Sequence, residues 1–129
     1  METDYTGSQT DKWEIQVRKG CLELAILASL WTGRLYGLEM LKRLEQDAGL
    51  ALSAGTVYPL LARLKADGFL ESEWVETDVV HPRKYYKLTG AGRRRAIEMA
   101  QVWTKFTGGI SGLLSPLLKE EFDEQLGQG

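Results

Sequence analysis

In the stretch Ser53-Ala54-Gly55-Thr56-Val57-Tyr58-Pro59-Leu60-Leu61-Ala62-Arg63-Leu64-Lys65-Ala66-Asp67-Gly68-Phe69-Leu70 a helical apolar pattern gives way to a strand at one glycine. Val57, Leu60, Leu61 and Leu64 recur at helical spacing, which predicts a helix over 53–67 with Gly68 just past its C-terminal end. Pro59 has no N–H to give, so the regular helix starts within a turn of it, with Ser53 or Thr56 as N-cap. That start is small, polar and without acidic side chains. After Gly68 the apolar period drops from 3.6 to 2. Phe69, Leu70, Trp74 and Val75, then Val79 and Val80, then Tyr85, Tyr86 and Leu88 read as two strands. Their polar connection, Glu76 to Pro82, reads as a hairpin loop.

Upstream, Leu22, Ile26 and Leu30 predict a helix from Ile15 to Thr32, with Ala25, Leu27 and Trp31 widening its apolar face and Gly33 ending it. Leu38, Leu41 and Leu44 predict a second helix from Tyr36 to Ala48, stopped by Gly49. Downstream, Thr89 caps a fourth helix over 90–107 with Ala96, Met99, Trp103 and Phe106 on one face. Gly108, Gly109 and Gly112 are expected to interrupt it, and Ser115-Pro116 to restart a short helix that ends at Gly127. Residues 1–10 are polar and read as a flexible arm. The expected fold is mainly α with a small β-hairpin. Residues 11–89 form a winged helix-turn-helix, and residues 90–129 a C-terminal dimerisation helix with a short terminal helix.

Composition bounds the function. The 129 residues carry 16 Lys+Arg and 18 Asp+Glu, a formal charge of −2, with 43% hydrophobic residues; the length suits one domain with a real core. No run of 18 apolar residues exists, so no membrane span is expected. Met1-Glu2-Thr3-Asp4-Tyr5 lacks the basic and apolar regions of a secretory signal. The single cysteine, Cys21, cannot close an internal disulfide, which fits a cytoplasmic protein. With one histidine, His81, there is little to build a zinc site from, and no nucleophile–base, paired-carboxylate or phosphate-loop pattern is present. Neither an enzyme nor a cofactor is expected.

The net charge of −2 suggests indifference to nucleic acid, but its distribution does not. Residues 1–80 sum to −5, residues 81–105 to +6 and residues 106–129 to −3. The positive segment coincides with the second strand and the start of the fourth helix. In a winged helix-turn-helix the third helix reads the major groove and the hairpin follows the backbone, so these cations are placed to neutralise phosphates of double-stranded DNA.

The expected DNA-binding residues follow from that placement. Arg83 and Lys84 begin the second strand as phosphate contacts. Ser53 and Thr56 are DNA-contacting hydroxyls, N-caps or both. Tyr58 contacts DNA or fills the helix–wing junction. Arg63 reaches the groove or faces solvent, and Tyr36 touches phosphate from the start of the second helix. Arg93, Arg94 and Arg95 cannot all point one way; one or two approach DNA, Arg93 being the one assigned, and the rest pair with Glu98 or face solvent. Of Tyr85 and Tyr86, adjacent on a strand, one belongs to the core.

In this fold the fourth helix leaves the winged part, so its apolar stripe needs a second subunit to cover it. Trp103 there could stack on a planar ligand, and Ile15, Met99, Ala100 and Phe106 complete the candidate effector-binding set. The competing reading is a winged-helix protein-interaction module that does not bind DNA; the local +6 disfavours it.

Three motifs in order carry a family resemblance: Tyr36-Gly37-Leu38-Glu39; Gly55-Thr56-Val57-Tyr58-Pro59-Leu60-Leu61-Ala62-Arg63-Leu64 with Asp67-Gly68-Phe69-Leu70; and Pro82-Arg83-Lys84-Tyr85-Tyr86-Lys87-Leu88-Thr89-Gly90-Ala91-Gly92. Together they resemble the PadR family of bacterial transcriptional regulators over about residues 20–103. The resemblance implies a homodimeric repressor on a palindromic operator, released by a small aromatic or hydrophobic effector held between subunits. Some multidrug-binding members of that family place a tryptophan at the position of Trp103. The brief chain after the wing resembles the family's short branch. Val79-Val80-His81 stands where a glycine often leads the wing motif.

Overall fold

The computed structural model describes residues 8–76 and 81–128, apart from the side chains of Phe122 and Gln128. The elements run α1 (Gln9–Ser29), β1 (Leu35–Tyr36), α2 (Gly37–Ala48), α3 (Ala54–Ala66), β2 (Leu70–Val75), β3 (Arg83–Leu88) and α4 (Gly90–Gln128). They divide into two compact units, Met1–Ala96 and Ile97–Gly129.

In the first unit three helices pack against a three-stranded antiparallel sheet of order β1-β3-β2. The hairpin register pairs Leu70 with Leu88, Ser72 with Tyr86 and Trp74 with Lys84. The third strand, β1, was not expected. It is two residues long, too short to show a period, and it pairs Leu35 with Tyr86 and Tyr36 with Tyr85. The core gathers Leu22, Ile26 and Leu27 of α1 with Leu30 at its C-cap, Met40 and Leu44 of α2, and Val57, Leu61 and Leu64 of α3. Leu70, Tyr86 and Leu88 close it from the sheet. Burying each such side chain stabilises the fold by roughly 1.5–3 kcal/mol before entropy is counted.

Three expectations are corrected. First, α1 starts at Gln9, not near Ile15, because Ser8 caps it by accepting the Asp11 N–H at 2.9 Å. The rest of the expected arm, residues 1–7, lies outside the described residues, as do Val79 and Val80 of the hairpin. Second, α2 turns Gly37, Met40 and Leu44 inward while Leu38 is exposed. Leu44 is inward as expected, but the earlier part of the face falls on Gly37 and Met40 because Gly37 accommodates the Tyr58 ring; a Cβ there would overlap the tyrosine.

Third, α4 is one continuous helix through Gly108, Gly109, Gly112 and Pro116. Pro116 removes one backbone bond, and the carbonyl it would meet belongs to Gly112, four residues earlier. A glycine there can tilt that carbonyl with little steric penalty. The same spacing recurs in α3, where Pro59 follows Gly55. In both helices a glycine at this spacing lets the chain continue through a proline.

Candidate nucleic-acid interface

Ser53 caps α3: its Oγ accepts the Thr56 N–H at 3.3 Å and lies 3.1 Å from the Thr56 Oγ1. Both hydroxyls are exposed at the positive end of the helix dipole, with basic residues reserved for its last turn. With Val57, Leu61 and Leu64 inward, the opposite stripe is Gly55, Pro59, Ala62 and Ala66, all exposed. No side chain on that stripe can form a hydrogen bond. Donors and acceptors sit on its flanks, Thr56 and Arg63 along one and Tyr58 and Lys65 along the other, each pair seven residues apart. A smooth ridge between polar flanks can lie close in a major groove.

Tyr58 sits at the α2–α3 junction against Gly37, yet remains 42% exposed. Its neighbour Tyr86 is buried, and burial pushes the Tyr86 hydroxyl pKa above its usual value, with a smaller contribution from Tyr58. Tyr85 is half-buried, so the two adjacent tyrosines divide between core and outer face.

The same alternation separates Arg83 from Lys84. The Arg83 guanidinium lies 4.3 Å from the centre of the Tyr36 ring, on the sheet face that also carries Tyr85 and Arg34. Tyr36 and Tyr85 meet edge to face at 5.5 Å, and Arg34 stacks over Tyr85 at 4.6 Å while bonding Glu73 at 2.6 Å. Lys84 lies on the helix-facing side with Tyr86, and its ammonium is 5.7 Å from the centre of the exposed Trp74 ring. The two cations therefore serve different sides of the wing. Tyr36 also starts α2, where its N–H is accepted by Glu39 at 3.2 Å. That bond gives the Tyr-Gly-x-Glu motif a local reason.

Thr89 joins the wing to α4. Its hydroxyl donates to the Gly68 carbonyl at 2.6 Å and accepts the Gly92 N–H at 3.0 Å. A Cβ on Gly92 would collide with the Phe69 carbonyl, so Thr89-Gly90-Ala91-Gly92 is a packing motif. The arginines after it diverge. Arg93 stacks on Trp31 at 4.6 Å and donates to its carbonyl at 3.3 Å, so this proposed DNA contact is engaged with the end of α1. Arg94 is exposed. Arg95 pairs with Glu23, where Glu98 was the expected acidic partner for this cluster. Glu98 shares its helix with the arginines, but Glu23 on α1 stands across from Arg95 in the packed unit.

Arg63 also bonds Glu23, at 2.9 Å, so it is neither free in solvent nor directed only at the groove. Sequence reasoning passed over Glu23, Arg34 and Trp74. The available signal for Glu23 was an acid lodged between Leu22 and Leu24 on an otherwise apolar helix.

Of the candidate effector residues, Ile15 is exposed on α1 in the first unit. Met99, Ala100, Trp103 and Phe106 are on α4 in the second, with Trp103 42% and Phe106 62% exposed. Beyond them, Ile110, Leu113 and Leu117 continue the alternating four- and three-residue spacing, all exposed. Cys21 is half-buried and His81 exposed. Among the described residues no cluster of His, Cys, Asp and Glu could hold a metal ion, and no helix is long and apolar enough to cross a membrane.

Comparison with known proteins agrees with this architecture. Residues 26–98 match the model of the transcriptional regulator PadR-like family. The chain is 35% identical over 89 residues to the transcriptional regulator Rv3488 of Mycobacterium tuberculosis, covering 64% of this chain and 81% of that protein. A PadR-like transcription factor from Bacteroides fragilis is 39% identical, with a TM-score of 0.65 over 80% of this chain and 99% of that one. A PadR family regulator from Eggerthella lenta is 34% identical, with a TM-score of 0.73 over 81% and 91%. With its winged first unit, its long C-terminal helix and this match, the chain belongs to the PadR-like family of transcriptional regulators.

Proposed function

We propose that the protein is a cytoplasmic repressor that binds a palindromic operator as a homodimer and is released by a small aromatic or hydrophobic effector at the dimer interface. The observation that carries this reading is the exposed seam of α4. Half-buried Met99 and the exposed Trp103, Phe106, Ile110, Leu113 and Leu117 alternate spacings of four and three, the pattern that pairs helices. So many exposed apolar side chains on one helix call for a partner. A second copy supplies the same seam. Two copies bring two α3 helices to half-sites about 10 bp, or a multiple of that, apart.

In this mechanism Ser53, Thr56 and Tyr58 meet DNA from the start of α3. Arg63 approaches from its flank, Arg83, Lys84 and Tyr36 from the wing side, and Arg93 from the wing exit. An effector stacked on Trp103, beside Met99, Ala100 and Phe106 of the same helix, changes the relation of the two winged units. A coupling of about 1–3 kcal/mol between the sites suffices for release.

The test is selection of DNA by this chain from a random duplex pool. A repressor of this design enriches an inverted repeat, and Arg83→Ala weakens all duplexes alike while lowering the salt slope by about one. Selection without an inverted repeat overturns the dimeric operator. For the effector, quenching of tryptophan fluorescence by planar aromatic compounds should disappear in Trp103→Ala; quenching that survives places the ligand elsewhere.

A further inference from the structure

Glu23 holds two arginines with one carboxylate. Its Oε1 accepts from the Arg63 Nη2 at 2.9 Å, and its Oε2 from the Arg95 Nε at 3.2 Å. Three elements meet there: α1 through Glu23, the recognition helix α3 through Arg63, and the first turns of α4 through Arg95. The three side chains are unequally held. Glu23 is the least accessible, its side chain 20% exposed, against 42% for Arg95 and 59% for Arg63. Arg95 has a second anchor, since its guanidinium lies 5.5 Å from the centre of the Phe69 ring. Arg63 is the outermost and shares its flank of α3 with Thr56, which stands at the helix start.

A partly buried carboxylate is costly to leave without a cation, so an arginine serving as its sole partner is not easily given up. Here the carboxylate has a spare. We propose that Arg95 is a positioning residue for DNA binding: by keeping Glu23 neutralised, it lets Arg63 turn from the carboxylate to a DNA phosphate. This rests on the DNA-binding reading given above. Arg63 exchanges one anion for another of the same geometry, because a guanidinium meets carboxylate and phosphate oxygens alike. Arg95 stays on Phe69 and Glu23. The recognition helix then gains a phosphate contact without stranding a charge in the protein. Glu23 also ties the availability of Arg63 to the position of the first turns of α4.

The experiment measures affinity and salt dependence of the full chain on a pool-selected duplex and on a random duplex of equal length. Arg95→Gln leaves Arg63 as the only cation on Glu23. Affinity should fall roughly threefold to tenfold on both duplexes, with the slope of log affinity against log salt reduced by about 0.9, the signature of one lost phosphate contact. Arg63→Gln should match it, and the double variant should lose no more than either single one. Adding Glu23→Gln to Arg95→Gln should restore affinity and slope, because Arg63 is then unclaimed.

An Arg95 that itself touches phosphate gives additive losses and no rescue by Glu23→Gln, which overturns the proposal. An unchanged slope in Arg95→Gln overturns it as well. If Arg95→Gln does not fold, Glu23→Gln alone decides: its slope must equal or exceed that of the wild type, and a lower one refutes the idea. Failure of the wild-type chain to bind either duplex at low salt overturns the DNA-binding reading itself and this inference with it.

Discussion

Gly92 shows how much one missing side chain can matter. The Phe69 carbonyl occupies the place a Cβ would take, and Thr89 fixes both sides of the junction through Gly68 and Gly92. Backbone cannot yield as a flexible side chain does. Gly92→Ala should therefore lower stability by about 1–3 kcal/mol, as overpacked sites do, read as a lower melting temperature at unchanged protein concentration. Tyr86 gives a pH-dependent counterpart. Its pKa is raised by burial, so the folded state favours the neutral hydroxyl. The sign follows: its contribution is fully present below the ordinary tyrosine value and is lost as the pH climbs from there towards the raised value. Tyr86→Phe should thus show a shallower fall in melting temperature above about pH 10 than the wild type. At this scale the sequence was informative about residue types and weak about partners. Ser53 and Thr89 were readable as caps because capping acts within three residues. Arg63 and Arg95 were not readable as sharing Glu23, since those contacts span 40 and 72 residues.

Among elements, α3 and the hairpin were the most legible, because the apolar period changes from 3.6 to 2 at one glycine, Gly68. The start of α1 failed although its Ser8 cap is local; two other misreadings were set by tertiary context. Two-residue β1 exists only because β3 offers it an edge. The register of α2 depends on where the Tyr58 ring comes to rest. The expected break in α4 failed for a different reason: glycines and a proline weaken a helix without ending it, and here a glycine stands where the proline needs one. If the α4 seam makes the dimer, a charge at its middle must break it. Ile110→Glu, a position 38% exposed within one chain, should shift sedimentation from dimer to monomer while leaving the winged unit's sheet and core intact. A dimer that survives this change assigns the interface to other residues.

For the whole molecule, the net charge of −2 says little because it averages over a basic segment and two acidic ones. Fold class and family were legible from three motifs in order, since these encode caps, close approaches and a strand alternation. What no linear reading supplied is which cation faces which anion. The continuous α4 has a consequence for the life of the protein in a cell. Gly108, Gly109, Gly112 and Pro116 leave the helix roughly 6 kcal/mol less stable than alanines would, and its exposed seam gives it little core of its own. An unpaired copy should therefore unwind between about residues 105 and 118 and be cut there first, so limited proteolysis per molecule should accelerate as the solution is diluted. A cutting rate independent of concentration refutes this. If it holds, the turnover of the regulator is governed by its own abundance: surplus partners shelter one another, and stragglers are cleared.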